Sequence, residues 1–126
     1  VPGSSAYFLG GVVAYGNEAK VKLLGVPQRL LEEFGAVSAE VAEAMARGVR
    51  ETFRADLGVG VTGVAGPGGG TETKPVGRVY LAVADPQSSR TVRADFGEEP
   101  GREGVRRLAS QAALNLLRRY LLERGG

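Results

Sequence analysis

The sequence predicts an α/β domain, a three-layer α/β/α sandwich with a mixed sheet. Three observations predict it. Compact apolar runs of strand length at 10–15, 57–62 and 76–84 alternate with stretches whose apolar residues recur every three or four positions. A further segment, 90–96, alternates strictly between apolar and polar residues, the pattern of a half-buried antiparallel or edge strand. Composition completes the argument: 126 residues, 43% of them hydrophobic and 24% charged, supply one core and not two, so 1–126 is expected to form a single domain.

The elements follow in chain order. Pro2-Gly3-Ser4-Ser5 is turn chemistry able to cap a short helix through Phe8. The apolar strand run 10–15 ends at Gly16-Asn17, and Asn17 can cap a helix carrying Ala19, Val21, Leu23 and Leu24 that Gly25 and Pro27 stop. Pro27 opens a short helix of Leu30, Leu31 and Phe34, ended by Gly35. Ser38 is the expected N-cap of the clearest helix of the first half. That helix turns Val41, Ala42, Met45, Ala46, Val49 and Phe53 inward and Glu40, Glu43, Arg47 and Arg50 outward. Met45 is a core residue in this pattern.

Leu57 to Thr62 reads as a short buried strand. Thr62 to Pro75 holds Gly63, Gly66, Gly68, Gly69 and Gly70 and is an irregular loop. Val76 to Ala84 reads as a central strand, with Val79, Leu81 and Val83 on one face and Tyr80 and Ala82 on the other. Asp85 to Ser89 turns the chain into the alternating strand 90–96. A last helix from about Arg102 to Glu123 carries an apolar stripe of Val105, Leu108, Ala109, Ala112, Leu116, Tyr120 and Leu121.

Histidine and cysteine are both absent. Their absence excludes imidazole bases, thiol nucleophiles, disulfide scaffolds and zinc sites built on either residue, so any hydrolytic chemistry runs on hydroxyls, carboxylates, lysine and backbone amides. No metal or cofactor is expected. Sixteen Lys and Arg against fourteen Asp and Glu give a formal charge of only +2. The arginines of the last helix are interrupted by Glu103 and Glu123, so they read as a solvated face and not as a nucleic-acid footprint. No apolar run approaches the ~20 residues of a membrane span, and the N-terminus lacks a signal pattern, so a soluble cytoplasmic protein is expected.

Four features could carry chemistry. Lys20, one of three lysines, lies early in a helix that follows a buried strand, where ligands collect in α/β sheets. Ser4 and Ser5 are N-cap residues by position. In a chain without histidine, a serine nucleophile there would take a lysine made neutral by burial as its base. The run from Gly63 through Thr71 is neither a Walker A loop nor a dinucleotide fingerprint, yet its glycines let backbone N–H groups converge on an anion; Thr62 leads straight into it. Arg102, just after Pro100-Gly101, adds a guanidinium to a helix N-terminus, a place suited to phosphate.

Gly10 through Lys20, Leu24-Gly25-Val26-Pro27, Gly35-Ala36-Val37-Ser38, Thr62 through Gly70 and Lys74-Pro75-Val76-Gly77 together resemble the CinA C-terminal domain family, over nearly the whole chain. Members of that family include bacterial nicotinamide mononucleotide deamidases. The resemblance implies hydrolysis of the carboxamide of nicotinamide mononucleotide to nicotinate mononucleotide and ammonia, by a metal-free Ser-Lys mechanism. Lys20 and Tyr15 match the family's Tyr-x-Asn-x-x-Lys motif, with Gly16 where a serine is common. Thr62 and Arg102 fall on positions the family uses around substrate, and Arg102 suits phosphate.

Family members carry a further strand and helix with a Glu-Ser-x-Thr-Gly-Gly motif ahead of Pro-Gly-Ser-Ser. The serine of that motif is a prime nucleophile candidate of the family. By that comparison this sequence lacks about 30 residues, a strand-plus-helix length, and is expected to be either a fragment of a larger protein or an N-terminally truncated form. The expected catalytic residues in this chain are then Lys20, Ser5 and Tyr15, and the substrate contacts Thr62, Gly66, Gly68, Gly69 and Arg102. A small-molecule nucleotide is the expected partner, and a homo-oligomer, most simply a homodimer, the expected assembly. The alternative is a non-catalytic nucleotide- or phosphosugar-binding or assembly domain of a larger protein.

Overall fold

The computed structural model describes residues 25–63 and 75–124. Pro27 stands in extended geometry at the entrance to α1, Gln28–Phe34, and its carbonyl accepts the Leu30 N–H at 3.0 Å. Gly35, with φ at 80°, ends the helix by returning its N–H to Leu31 O, a conformation few side chains tolerate. Ser38 then caps α2, Ala39–Phe53, as its spacing predicts. Its Oγ accepts the Val41 N–H at 3.2 Å and donates to Gly35 O at 2.9 Å, so one hydroxyl ties the end of α1 to the start of α2.

Three strands follow: β1, Gly58–Gly63; β2, Arg78–Ala84; and β3, Ser89–Asp95. Their order is β1-β2-β3 and both pairings are antiparallel, with Thr62 opposite Tyr80 and Leu81 opposite Val92. β2 is central, as its apolar run predicts. The expected strand at 10–15 lies outside the described residues. So do the expected helices after Ser5 and Asn17. The final helix, α3, runs Gly101–Arg124.

The period-2 pattern of β2 sorts its side chains onto two faces. Val79, Leu81 and Val83, with Val59 and Val61 of β1, build one core with Val105, Ala109, Leu116, Leu117 and Tyr120 of α3. Tyr80, Ala82 and Ala84 meet Ala42 and Ala46 of α2 on the opposite face. The outer side of α2 is covered in turn: Val41, Met45 and Val49 pack with Val26 and Leu31. Helices therefore cover both faces of the sheet, which gives the predicted α/β fold its three layers.

Glycine sets the spacing on the α2 side. A Cβ on Gly58 would stand 2.0 Å from Ala46 O, and one on Gly60 would stand 2.3 Å from Ala42 O, so α2 rests its backbone almost directly on β1. The pairing of 60 with 42 and of 58 with 46 makes α2 antiparallel to β1. On the other face α3 runs back along the sheet, from just beyond Asp95 to the β2–β3 turn. There the Tyr120 hydroxyl donates to Asp85 Oδ2 in a short bond and shares a 2.8 Å bond with Ser88 Oγ. Leu117 joins the core although the sequence stripe omits it, whereas Leu114 and Leu122 are 59% and 69% exposed.

Candidate functional site

The topology brings several element ends to one end of the sheet. β1 finishes there at Thr62-Gly63, β2 begins at Arg78, and β3 finishes at Asp95, the register partner of Arg78. Because α2 and α3 each run from this end towards the other, both present their N-termini here. Each such terminus carries about half a positive charge, although Ser38 already takes the Val41 N–H of α2 and Glu40 and Glu103 stand in the two first turns. The glycine-rich segment leaves the sheet from this same end and returns to it at Pro75.

Thr62 and Arg102, singled out by position in the sequence, both belong to this end. Thr62 is buried on the α2 face, and its Oγ1 donates to Ala36 O at 2.7 Å in the connection between α1 and α2. That bond fixes the rotamer and aims the oxygen's acceptor side; a hydroxyl that has given its proton can still accept one. Arg102 is exposed in the first turn of α3, directly after Gly101, whose φ is 72°. Thr62 lies on the α2 side of the sheet and Arg102 on the α3 side. Ser5, Tyr15, Lys20, Gly66, Gly68 and Gly69 lie outside the described residues.

Two features of this end escaped the reading of the sequence. Arg78 and Asp95, cross-strand partners, join through an Nε–Oδ1 bond of 2.8 Å, with Arg93 also 3.3 Å from Asp95. That pairing with Arg78 holds the Asp95 carboxyl below the usual range and raises the Arg78 guanidinium. Beside this pair, Gly77 crosses directly over Gly97. The alternation of 90–96 announced a strand, but the register that sets Arg78 against Asp95 depends on pairing across a turn. Glycine composition alone gives no crossing point.

The opposite end of the molecule is occupied by structure. Asp85 is 1% exposed. It accepts from Tyr120 and from the backbone N–H groups of Gln87 and Ser88, at 2.7 and 2.8 Å. The Tyr120 bond, helped by those N–H groups and opposed by burial, holds the carboxyl far below its ordinary range. Asp85 thus closes the β2–β3 turn and pins the last turns of α3 to it.

Comparison with known proteins agrees with this architecture. The family model of the CinA C-terminal domain matches residues 1–121. A CinA-like protein of Geotalea daltonii is 58% identical over 122 residues, covering 97% of this chain and 29% of the relative. One from Synechocystis sp. is 53% identical over 121 residues, covering 95% of this chain and 29% of the relative. The chain thus spans about three tenths of the length of these curated relatives. Among solved structures, the competence/damage-inducible protein of Agrobacterium tumefaciens superposes with a TM-score of 0.80 at 42% identity, over 83% of this chain and 64% of that one. The competence damage-inducible protein A of Klebsiella pneumoniae gives 0.82 at 33% identity, over 89% and 68%. Sequence and architecture agree, and this chain belongs to the CinA C-terminal domain family.

Proposed function

We propose that this domain deamidates nicotinamide mononucleotide, releasing nicotinate mononucleotide and ammonia, without a metal or cofactor. The observation that supports the reading is that Thr62, Arg102 and the N-termini of α2 and α3 share the sheet end where the glycine-rich segment is attached. An anionic nucleotide suits that end: Arg102 and the α3 N-terminus complement its phosphate, and Thr62 with Gly66, Gly68 and Gly69 contacts the remainder. In the proposed reaction a serine hydroxyl, for which Ser5 is this chain's candidate, attacks the carboxamide carbon and passes its proton to neutral Lys20. Backbone amides hold the oxyanion, ammonia leaves with the returned proton, and water cleaves the acyl-enzyme. Tyr15 hydrogen bonds to this machinery or lines the pyridine pocket. The mechanism requires an uncharged Lys20, a state that desolvation would favour by penalising the ammonium form.

The test is ammonia release from nicotinamide mononucleotide by the natural gene product that contains this sequence. Turnover that falls by at least about a hundredfold in Lys20→Ala supports the reading; full activity in that variant overturns it. Binding of the nucleotide without ammonia release would instead identify a nucleotide-binding module. The reading also includes a cytoplasmic homodimer, and a sedimentation-equilibrium mass of one chain would remove the dimer. Among the described residues no helix is long and apolar enough to cross a membrane.

A further inference from the structure

The crossing of Gly77 over Gly97 joins the return of the glycine-rich segment to the approach to α3. Gly77 is buried, with φ at 89°, and a Cβ built on it would stand 2.3 Å from both Gly97 N and Gly97 O. Phe96 N–H donates to Gly77 O at 2.9 Å, and Arg78 N–H donates back to Pro75 O at 3.1 Å. The Arg78–Asp95 pair closes the same junction from the strand side. From Gly97 the chain makes one tight turn, Gly101 N–H to Glu98 O at 3.0 Å, and enters α3 with Gly101 and Arg102. The first core residue of α3 is Val105. Arg102 is therefore suspended between two fixed points, the crossing behind it and Val105 ahead.

We infer that the Gly77–Gly97 crossing is a positioning device that sets Arg102 against the phosphate of a nucleotide ligand, an inference that rests on the reading of this end as the phosphate site. The physical reason is contact geometry. Two backbones that touch without side chains cannot yield to an added methyl, so a Cβ at Gly77 must displace the 96–97 segment and, through the closed turn at 98–101, the entrance of α3. Gly97 offers a gentler perturbation. Nothing lies within 4 Å of its Cβ position, so an alanine there meets only the strain of a φ of 76°.

The experiment measures binding of nicotinamide mononucleotide, and of nicotinamide riboside as the same ligand without its phosphate, to the natural gene product and its variants by calorimetry. Gly77→Ala is expected to weaken mononucleotide binding by about tenfold, the worth of one charge-assisted contact, Gly97→Ala by about threefold, and both to leave riboside binding unchanged. In an Arg102→Ala background neither change should weaken the mononucleotide further, because the group it positions is gone. Gly97→Ala keeps the test alive should Gly77→Ala fail to fold. Equal weakening of both ligands, or effects that add to that of Arg102→Ala, would overturn the coupling. Mononucleotide binding without ammonia release would sink the amidase reading and leave the coupling standing. A natural protein that binds neither ligand overturns both.

Discussion

Asp85 and Tyr120 show how much one pair of side chains can organise. The Asp85 carboxyl is held far below its ordinary range by Tyr120 and by the Gln87 and Ser88 amides, so its folded value is depressed relative to the unfolded chain. A depressed carboxyl stabilises the fold above its unfolded pKa of about 3.9, and that contribution is lost as pH falls through this value towards the folded one. The urea midpoint is therefore expected to drop between about pH 5 and pH 2, and Asp85→Asn should flatten that dependence. Tyr120→Phe should cost about 1–2 kcal/mol at neutral pH in the same unfolding measurement, because it leaves a buried carboxylate short of a donor. In the sequence Asp85 is legible as a turn residue and Tyr120 as part of an apolar helix stripe. Their bond spans 35 positions, and no local pattern encodes it.

At the scale of elements, residue type and position announce most of what is seen. Ser38 was legible as a cap, Gly35 as a helix stop, and the two faces of β2 as separate cores, since each follows from backbone chemistry within a few residues. Ser38→Ala should lower stability by about 1 kcal/mol, and possession of the Gly35 contact as well as the Val41 contact places it at no less than that. Less legible was the reason for glycine at 58 and 60, which lies in the backbone of α2 at Ala46 and Ala42, 12 and 18 positions earlier. Gly58→Ala and Gly60→Ala are each expected to destabilise the domain by about 1–3 kcal/mol in denaturant unfolding, because the obstacle is the α2 backbone and not a side chain that could swing aside. Thr62 illustrates both sides: its place at a strand end could be read, whereas its bond to Ala36 could be found only in three dimensions.

Over the whole molecule, α3 extends about 36 Å for its 24 residues, enough to run the length of the sheet and divide the labour between its ends. One end is locked by Asp85 and Tyr120; the other offers Arg102 and two helix N-termini. The sequence suggested Thr62 and Arg102 singly. That they share one end follows from the antiparallel course of β1 and α2 and of β3 and α3, which is a property of topology. Arg102→Ala should weaken binding of nicotinamide mononucleotide by about tenfold and make that binding less sensitive to added salt, as measured by calorimetry at two ionic strengths. The paired helix entrances also bear on how such assays are run. Inorganic phosphate or sulfate in a buffer is itself a candidate occupant of that end, so turnover recorded in phosphate should show a higher apparent KM than in a zwitterionic buffer of equal ionic strength, with kcat unchanged.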